Sequence, residues 1–401
     1  MIRVWLMGLL MLLGFGSIPA KSPAAEPVIS PIAKGNNAFA FALYRELAKD
    51  AKPTENIWFS PYSIQAALAM TYAGARGKTA DEMSSVLGFE ANQERFHPAF
   101  AQHAKSLQTF SKDFKGAFNL ANAIWVDDGL EVPKPFREMM NVHHGAGLRT
   151  IDFGASEAAR KQINDWVGEN TKGKIPELLP DGSIDSDTRM VLANALYFQA
   201  NWRFPFDQKS THDAEFFQSA KKAIRVPMMF QKSSLRYGET SDAQLVELPY
   251  DKSDFTLLLA VPKKGKEVSD IEAKLGQIDT ALPTMKTQQV ELLLPRFNLE
   301  AKAQLKSALT NLGMPTAFTS KADFSGIGSD LAIGDVYHAA TVAVDERGTV
   351  AAAATAVTIV RSSLEISQRV EVNRPSLVII RHVPTNSIMF LGRLSDPQPK
   401  K

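Results

Sequence analysis

Apolar residues along this chain recur with two different periods. Phe39, Leu43 and Leu47 fall at intervals of four, which predicts an amphipathic helix over Asn36 to Lys49. Asn56 to Phe59 reads as a short strand running into Ser60 and Pro61, a pair suited to a helix N-cap and first turn. The helix expected next, Ser63 to Ala75, is apolar nearly all round and should be buried. Thr79 to Glu82 fits a capping box and Gly88 a helix stop. Two further helices are expected: Glu157 to Thr171, with Ile163, Trp166 and Val167 on one face, and Ala301 to Leu312, stopped by Gly313. Strand candidates are Phe118 to Val126, Leu245 to Pro249, Phe255 to Val261 and Val290 to Leu294. Met190 to Ala200 reads as a fully buried central strand with Asn194 set among apolar residues, and Leu377 to Ile380 and Ile388 to Leu391 close the chain across a Pro384-Thr385-Asn386 turn. Helices dominate the first half and strands the second, with no internal repeat, no long linker and no regular βαβ alternation. One large α+β domain is expected.

Composition bounds the function. The 401 residues are 45% hydrophobic and 22% charged, an ordinary globular balance. The net charge of +2, from 45 basic and 43 acidic residues, gives no field that points to nucleic acid or a membrane surface. Arg3 followed by an apolar run from Val4 to about Phe15 and small residues up to Ala25 is the pattern of a secretory signal peptide. Residues 1–24 are assigned to it, with cleavage between about 20 and 25; residues 25–35 form a short lead and 36–397 the domain. The product is expected to be secreted or periplasmic. There are no cysteines, so disulfides, thiol catalysis and cysteine-bound metals are all excluded.

Enzymatic chemistry is hard to find. Gly168 to Lys174 imitates a phosphate-binding loop, but Ile175 and Pro176 follow where the motif needs a hydroxyl and a helix. His143 and His144 are adjacent without a carboxylate pattern around them, and no nucleophile elbow occurs. No cofactor or metal is expected. One stretch stands apart: Asp345 to Val350, four alanines from Ala351 to Ala354, then Thr355 to Val360 and Arg361-Ser362-Ser363. Its alanines favour helix and its Val-Thr-Ile-Val run favours strand, so its local preferences conflict, as expected of a segment that changes structure.

From about Asn36 to Pro397 the chain resembles the serpins, the serine protease inhibitor superfamily. The resemblance is carried by Asn56-Ile57-Trp58-Phe59-Ser60-Pro61-Tyr62-Ser63-Ile64, by Asn164-Asp165-Trp166-Val167 with Thr171 to Ile175, and by Asn194 to Phe198 with Asn201-Trp202. It continues through Glu247 to Tyr250, Leu294 to Phe297, Asp323 to Ile327, Asn373-Arg374-Pro375 and Phe390 to Arg393. It implies three β-sheets, eight or nine helices and an exposed reactive loop, here residues 346–364. It also implies a mechanism: a target protease cuts the loop, forms an acyl-enzyme, and is trapped when the loop inserts as a new strand in the central sheet. Glu346, Gly348, Thr349, Ala351, Ala352, Ala353, Ala354 and Thr355 match the inserting hinge. Ser60, Ser63, Asn194, Trp202 and His338 match the region where that sheet parts.

The scissile bond depends on a count. The commonest family spacing after Gly348 gives Ser362-Ser363, and a loop shorter by one gives Arg361-Ser362. Arginine suits the carboxylate in the pocket of trypsin-like proteases, and Arg361-Ser362 is the preferred reading. The expected partner is therefore a serine protease in a covalent complex with a monomeric inhibitor, which is not itself an enzyme. Val350 and Arg347 replace acidic residues common in inhibitory members, and Ser376 a common phenylalanine. The first two keep open a non-inhibitory serpin acting as a binding or carrier protein.

Overall fold

The computed structural model describes residues 30–108, 112–145, 147–349 and 367–398. In chain order its elements are α1 (Pro31–Asp50), β1 (Ile57–Phe59), α2 (Pro61–Tyr72), α3 (Gly77–Leu87), α4 (Gln93–Leu107), β2 (Ala117–Asp127), α5 (Lys134–His143), β3 (Leu148–Ile151) and α6 (Ser156–Asn170). Then come β4 (Met190–Asn201), β5 (His212–Ser219), β6 (Lys222–Glu239), β7 (Ala243–Pro249), β8 (Phe255–Pro262), α7 (Val268–Glu272), α8 (Gly276–Ala281), β9 (Lys286–Pro295), β10 (Phe297–Gln304) and α9 (Lys306–Leu312). The chain closes with β11 (Val336–Val344), β12 (Gly348–Thr349), β13 (Gln368–Glu371), β14 (Ser376–His382) and β15 (Ser387–Leu394).

A six-stranded sheet in the order β10-β11-β12-β4-β2-β3 forms one layer. The other nine strands run β1-β15-β14-β8-β7-β6-β9-β13, with β5 on β6. The long strand β6 joins what would otherwise be two sheets. Its first part pairs with β5 over a small separate core of Phe216, Val226 and Met228, and its last part pairs with β7. That sharing merges two of the three sheets the resemblance implied.

The six-stranded sheet has a core on each face. On one side Leu192, Leu196, Phe198, Val336 and Val342 join the main core with α2, whose twelve residues are all buried. On the other, Ala121, Ala123, Ala193, Ala195 and Ala339 lie against Ile163 and Val167 of α6. Strands buried on both faces have continuous apolar runs, which is why Met190 to Ala200 was legible.

Three expectations are corrected. The first helix begins at Pro31, inside the stretch read as a lead, because Ser30 Oγ accepts from Ala33 N–H at 3.1 Å and Pro31 occupies the first turn. No capping box forms at Thr79; Thr79 Oγ1 instead accepts from Asp323 N–H, and the Glu82 carboxylate holds the Thr316 amide and hydroxyl. Residues 301–304 finish strand β10 rather than start a helix, since Ala301 and Ala303 are paired with Ala340 and His338 of β11. Cross-strand pairing there overrides the helical preference of alanine.

Candidate functional site

At the top of the six-stranded sheet, β12 is a wedge. Below it, β4 and β11 pair directly and in parallel, from Leu192 opposite Val336 to Tyr197 opposite Thr341. Above that they separate, and Gly348 and Thr349 lie between them, antiparallel to both. Gly348 faces Asn201, and Thr349 faces Ala200 on one side and Val344 on the other. Gly348 is required by close approach: a Cβ there would lie 2.2 Å from the Ala200 carbonyl oxygen, and its φ of +156° disfavours other residues. Thr349 is fully buried, with its hydroxyl 2.7 Å from that of Tyr250.

The turn that delivers the wedge is held from several directions. Asp345 Oδ1 accepts from the Arg347 and Gly348 amides at 2.8 and 3.2 Å. Trp202, stacked on Tyr250 with ring centroids 4.6 Å apart, donates Nε1–H to the Asp345 carbonyl at 2.9 Å, and its amide donates to the Arg347 carbonyl. The buried Glu346 carboxylate receives Arg296 Nη2 at 2.6 Å and Thr211 Oγ1 at 2.6 Å. Burial pushes that carboxyl up, and the hydrogen bonds from Arg296 and Thr211 outweigh it, so it stays below its ordinary value and ionised.

A second polar cluster lies beneath the paired stretch. Asn194 and His338 are cross-strand partners, and Asn122 of β2 pairs with Asn194 from the other side. Ser60 N–H donates to His338 Nε2 at 3.0 Å, which leaves Nδ1–H to donate to Asn194 Oδ1. Asn194 Nδ2 donates to the Ser63 carbonyl at 2.6 Å and also reaches Ser63 Oγ and Asn122 Oδ1. Ser60 caps α2, with Oγ accepting from Ser63 N–H at 3.1 Å. Strand pairing and a helix N-terminus thus share one buried network. Burial holds His338 neutral, lowering it to about 3.

The residues expected where the sheet parts therefore fall in two groups. Ser60, Ser63, Asn194 and His338 meet in the cluster, and Trp202 stands with Glu346, Gly348 and Thr349 at the wedge. Ala351, Ala352, Ala353, Ala354, Thr355, Arg361, Ser362 and Ser363 lie outside the described residues, as does the signal peptide. Asn122, Thr211, Tyr250 and Arg296 were given no role by the sequence reading. Asn122 left one trace, as a polar residue inside an apolar strand; Tyr250 and Arg296 stood in the quoted motifs without a stated partner. Among the described residues, no three His, Asp or Glu side chains cluster so as to hold a metal, and no helix is long and apolar enough to cross a membrane.

A family model described as Serpin (serine protease inhibitor) matches residues 34–397. Serpin B6 of Pongo abelii is 36% identical over 377 residues, covering 91% of this chain and 99% of that protein. Leukocyte elastase inhibitor of Sus scrofa is 36% identical over 379 residues, covering 91% and 99%. The crystal structure of Serpin48 from the insect Tenebrio molitor superposes with a TM-score of 0.83 at 29% identity, covering 92% of this chain and 98% of that one. The residues Gly348 and Thr349, paired between β4 and β11 above a buried polar cluster, lie within the matched stretch. The chain belongs to the serpin family.

Proposed function

We propose that this serpin is a secreted suicide inhibitor of trypsin-like serine proteases, with Arg361-Ser362 as the bait bond. The observation that carries the reading is the wedge: the first two residues of an added strand already lie between β4 and β11. The protease serine would attack the Arg361 carbonyl carbon, forming an ester as the C–N bond breaks. Ser362 nitrogen takes the proton and leaves as an amine. The freed segment would then continue the register of β12 downward.

That register explains the residue choice. Carried on after cleavage, it would set Ala354 between Ala195 and Ala339, in a row that already runs from Ala121 to Ala195 beneath α6. Only a small side chain fits a floor of alanines without lifting the helix. The same register would set Thr355 between Asn194 and His338. Its hydroxyl would be offered to the two groups whose mutual bond insertion breaks. Insertion adds antiparallel ladders along both strands, which gives the uncut protein the character of a kinetically trapped state.

Incubation with trypsin should give an SDS-stable covalent complex and a released peptide beginning at Ser362. Cleavage without any complex would refute inhibition. The substitutions at Arg347 and Val350 favour the second reading, a non-inhibitory binding or carrier protein, which expects that outcome together with no gain in heat stability. Secretion is supported by the N-terminal sequence pattern and is tested by N-terminal sequencing of exported protein, which should begin between about residues 21 and 26.

A further inference from the structure

A cavity of about 740 Å³ opens between the first turns of α4 and α5, which supply Gln93, Glu94, Pro135, Phe136 and Met139 to its walls. That volume is within the range of small-molecule sites, about 300–1,000 Å³. Arg76, between α2 and α3, forms part of the wall and is held from one side. Its Nη1 donates to the Ala73 and Ala75 carbonyls at 3.0 and 2.8 Å, where α2 leaves acceptors unpaired, and lies 3.4 Å from Gln93 Oε1. Gln93 is fixed in turn, its Nε2 donating to the Tyr72 and Ala75 carbonyls at 2.7 and 3.1 Å. Gly326, also on the wall, is required by close approach: a Cβ on it would lie 2.8 Å from Arg76 Nη2. Capping of α2 thus occupies one nitrogen of the guanidinium. Among the described residues Nε and Nη2, which point the same way, have no acceptor, and Arg76 takes part in no ion pair.

We propose that this cavity binds a small amphipathic carboxylate, an alkyl chain ending in a carboxyl group, with the free Nε and Nη2 of Arg76 on its two oxygens. The same fork is used elsewhere in this protein: Arg296 donates Nε and Nη2 to the Glu346 carboxylate at 2.6–3.0 Å. The rest of the wall suits an alkyl chain. Pro135 is exposed, and Pro133 and Met139 are half-buried beside the buried Phe136. An apolar chain laid on them removes both surfaces from water, and the flexible methionine can follow its shape. Glu94 is the one carboxylate on the wall and opposes the charge of the ligand. Binding there needs no cut loop and is independent of protease inhibition.

The test is isothermal titration of the full, uncut chain with decanoate, kept below the concentration at which it forms micelles. One site is expected, and decanol, which has the chain without the charge, should bind at least roughly tenfold more weakly. Arg76→Gln should cost decanoate a similar factor, the size of a hydrogen bond to a charged group. Because Arg76 also caps α2, Pro135→Asp is the second variant. It sits at an exposed position in the first turn of α5, where an aspartate favours the helix, and should weaken decanoate severalfold by repulsion. No binding of decanoate, equal binding of decanol, or an affinity that both variants leave unchanged overturns the proposal. Inorganic phosphate that displaces decanoate at comparable concentration also overturns it, leaving a simple anion site.

Discussion

His338 Nδ1–H and Asn194 Oδ1 are hydrogen-bonded across the parallel pairing of β4 and β11, within the stretch that the proposed insertion would have to open. His338 Nε2 is occupied by the Ser60 amide, so one imidazole latches two strands to each other and to the cap of α2. Substitution His338→Ala leaves the Ser60 N–H and Asn194 Oδ1 without their partner at buried positions, at about 1–3 kcal/mol for each buried group. The variant should unfold faster on heating and lose inhibitory activity on storage several times faster than the wild type. Unchanged melting and an unchanged half-life would remove the latch from the account.

The protein should be sensitive to acid. Burial lowers His97 and His338 to about 3 and His103, His144 and His382 to about 4, against an ordinary value near 6.5. These histidines are neutral when folded and take up protons on unfolding below pH 6.5. Their contribution is therefore complete above about pH 6.5 and is lost as pH falls towards 4, by up to about 1.4 kcal/mol per pH unit for each. Thermal melts between pH 7.5 and 4.5 should show a steep fall, and His338→Gln should flatten it. A flat profile would contradict the buried neutral assignment.

At the top of the six-stranded sheet, Glu346→Ala removes the acceptor of Arg296 and Thr211 beside the point where the proposed insertion would begin. Arg296 keeps its access to water, so the expected loss is about 1.5–3 kcal/mol, the range of a hydrogen bond to a charged group, and nearer its lower end. The measurable consequence is faster spontaneous loss of inhibitory activity at 37 °C without proteolysis. Gly348→Val should be harsher, because its Cβ would meet the Ala200 carbonyl.

The alanine floor under α6 gives a kinetic prediction. Ala354→Leu should slow insertion without altering the bait bond, so the protease escapes by deacylation more often. More inhibitor molecules should be consumed per protease inactivated, with the rate of the first cut unchanged. Equal stoichiometry for the variant and the wild type would mean that Ala354 does not pass beneath the helix.

Much of this architecture is readable without coordinates, for definite reasons. Strand β4 is apolar on both faces, so it announces itself as central, and Ser60-Pro61 marks a helix start by local chemistry alone. What stayed hidden depends on partners distant in sequence. Thr79 and Glu82 look like a self-contained cap until Asp323 and Thr316 claim them. The residues at 301–304 look helical until β11 pairs with them. At the site, Glu346 and Gly348 stand in a motif of the sequence, whereas Arg296, Thr211 and Tyr250 gain their contacts only once the turn at Asp345 lies against them. The wedge itself could not be read from the chain, because it is a register between segments about 150 residues apart.

The central claim is that the uncut sheet is a trap waiting for one more strand. It is tested most directly by comparing thermal unfolding of the intact protein with that of protein cut once after Arg361. The account predicts that the cut protein melts at least roughly 20 °C higher, since a gained strand adds far more than the few kcal/mol that separate ordinary variants. A cut protein that melts at or below the temperature of the intact one would contradict it.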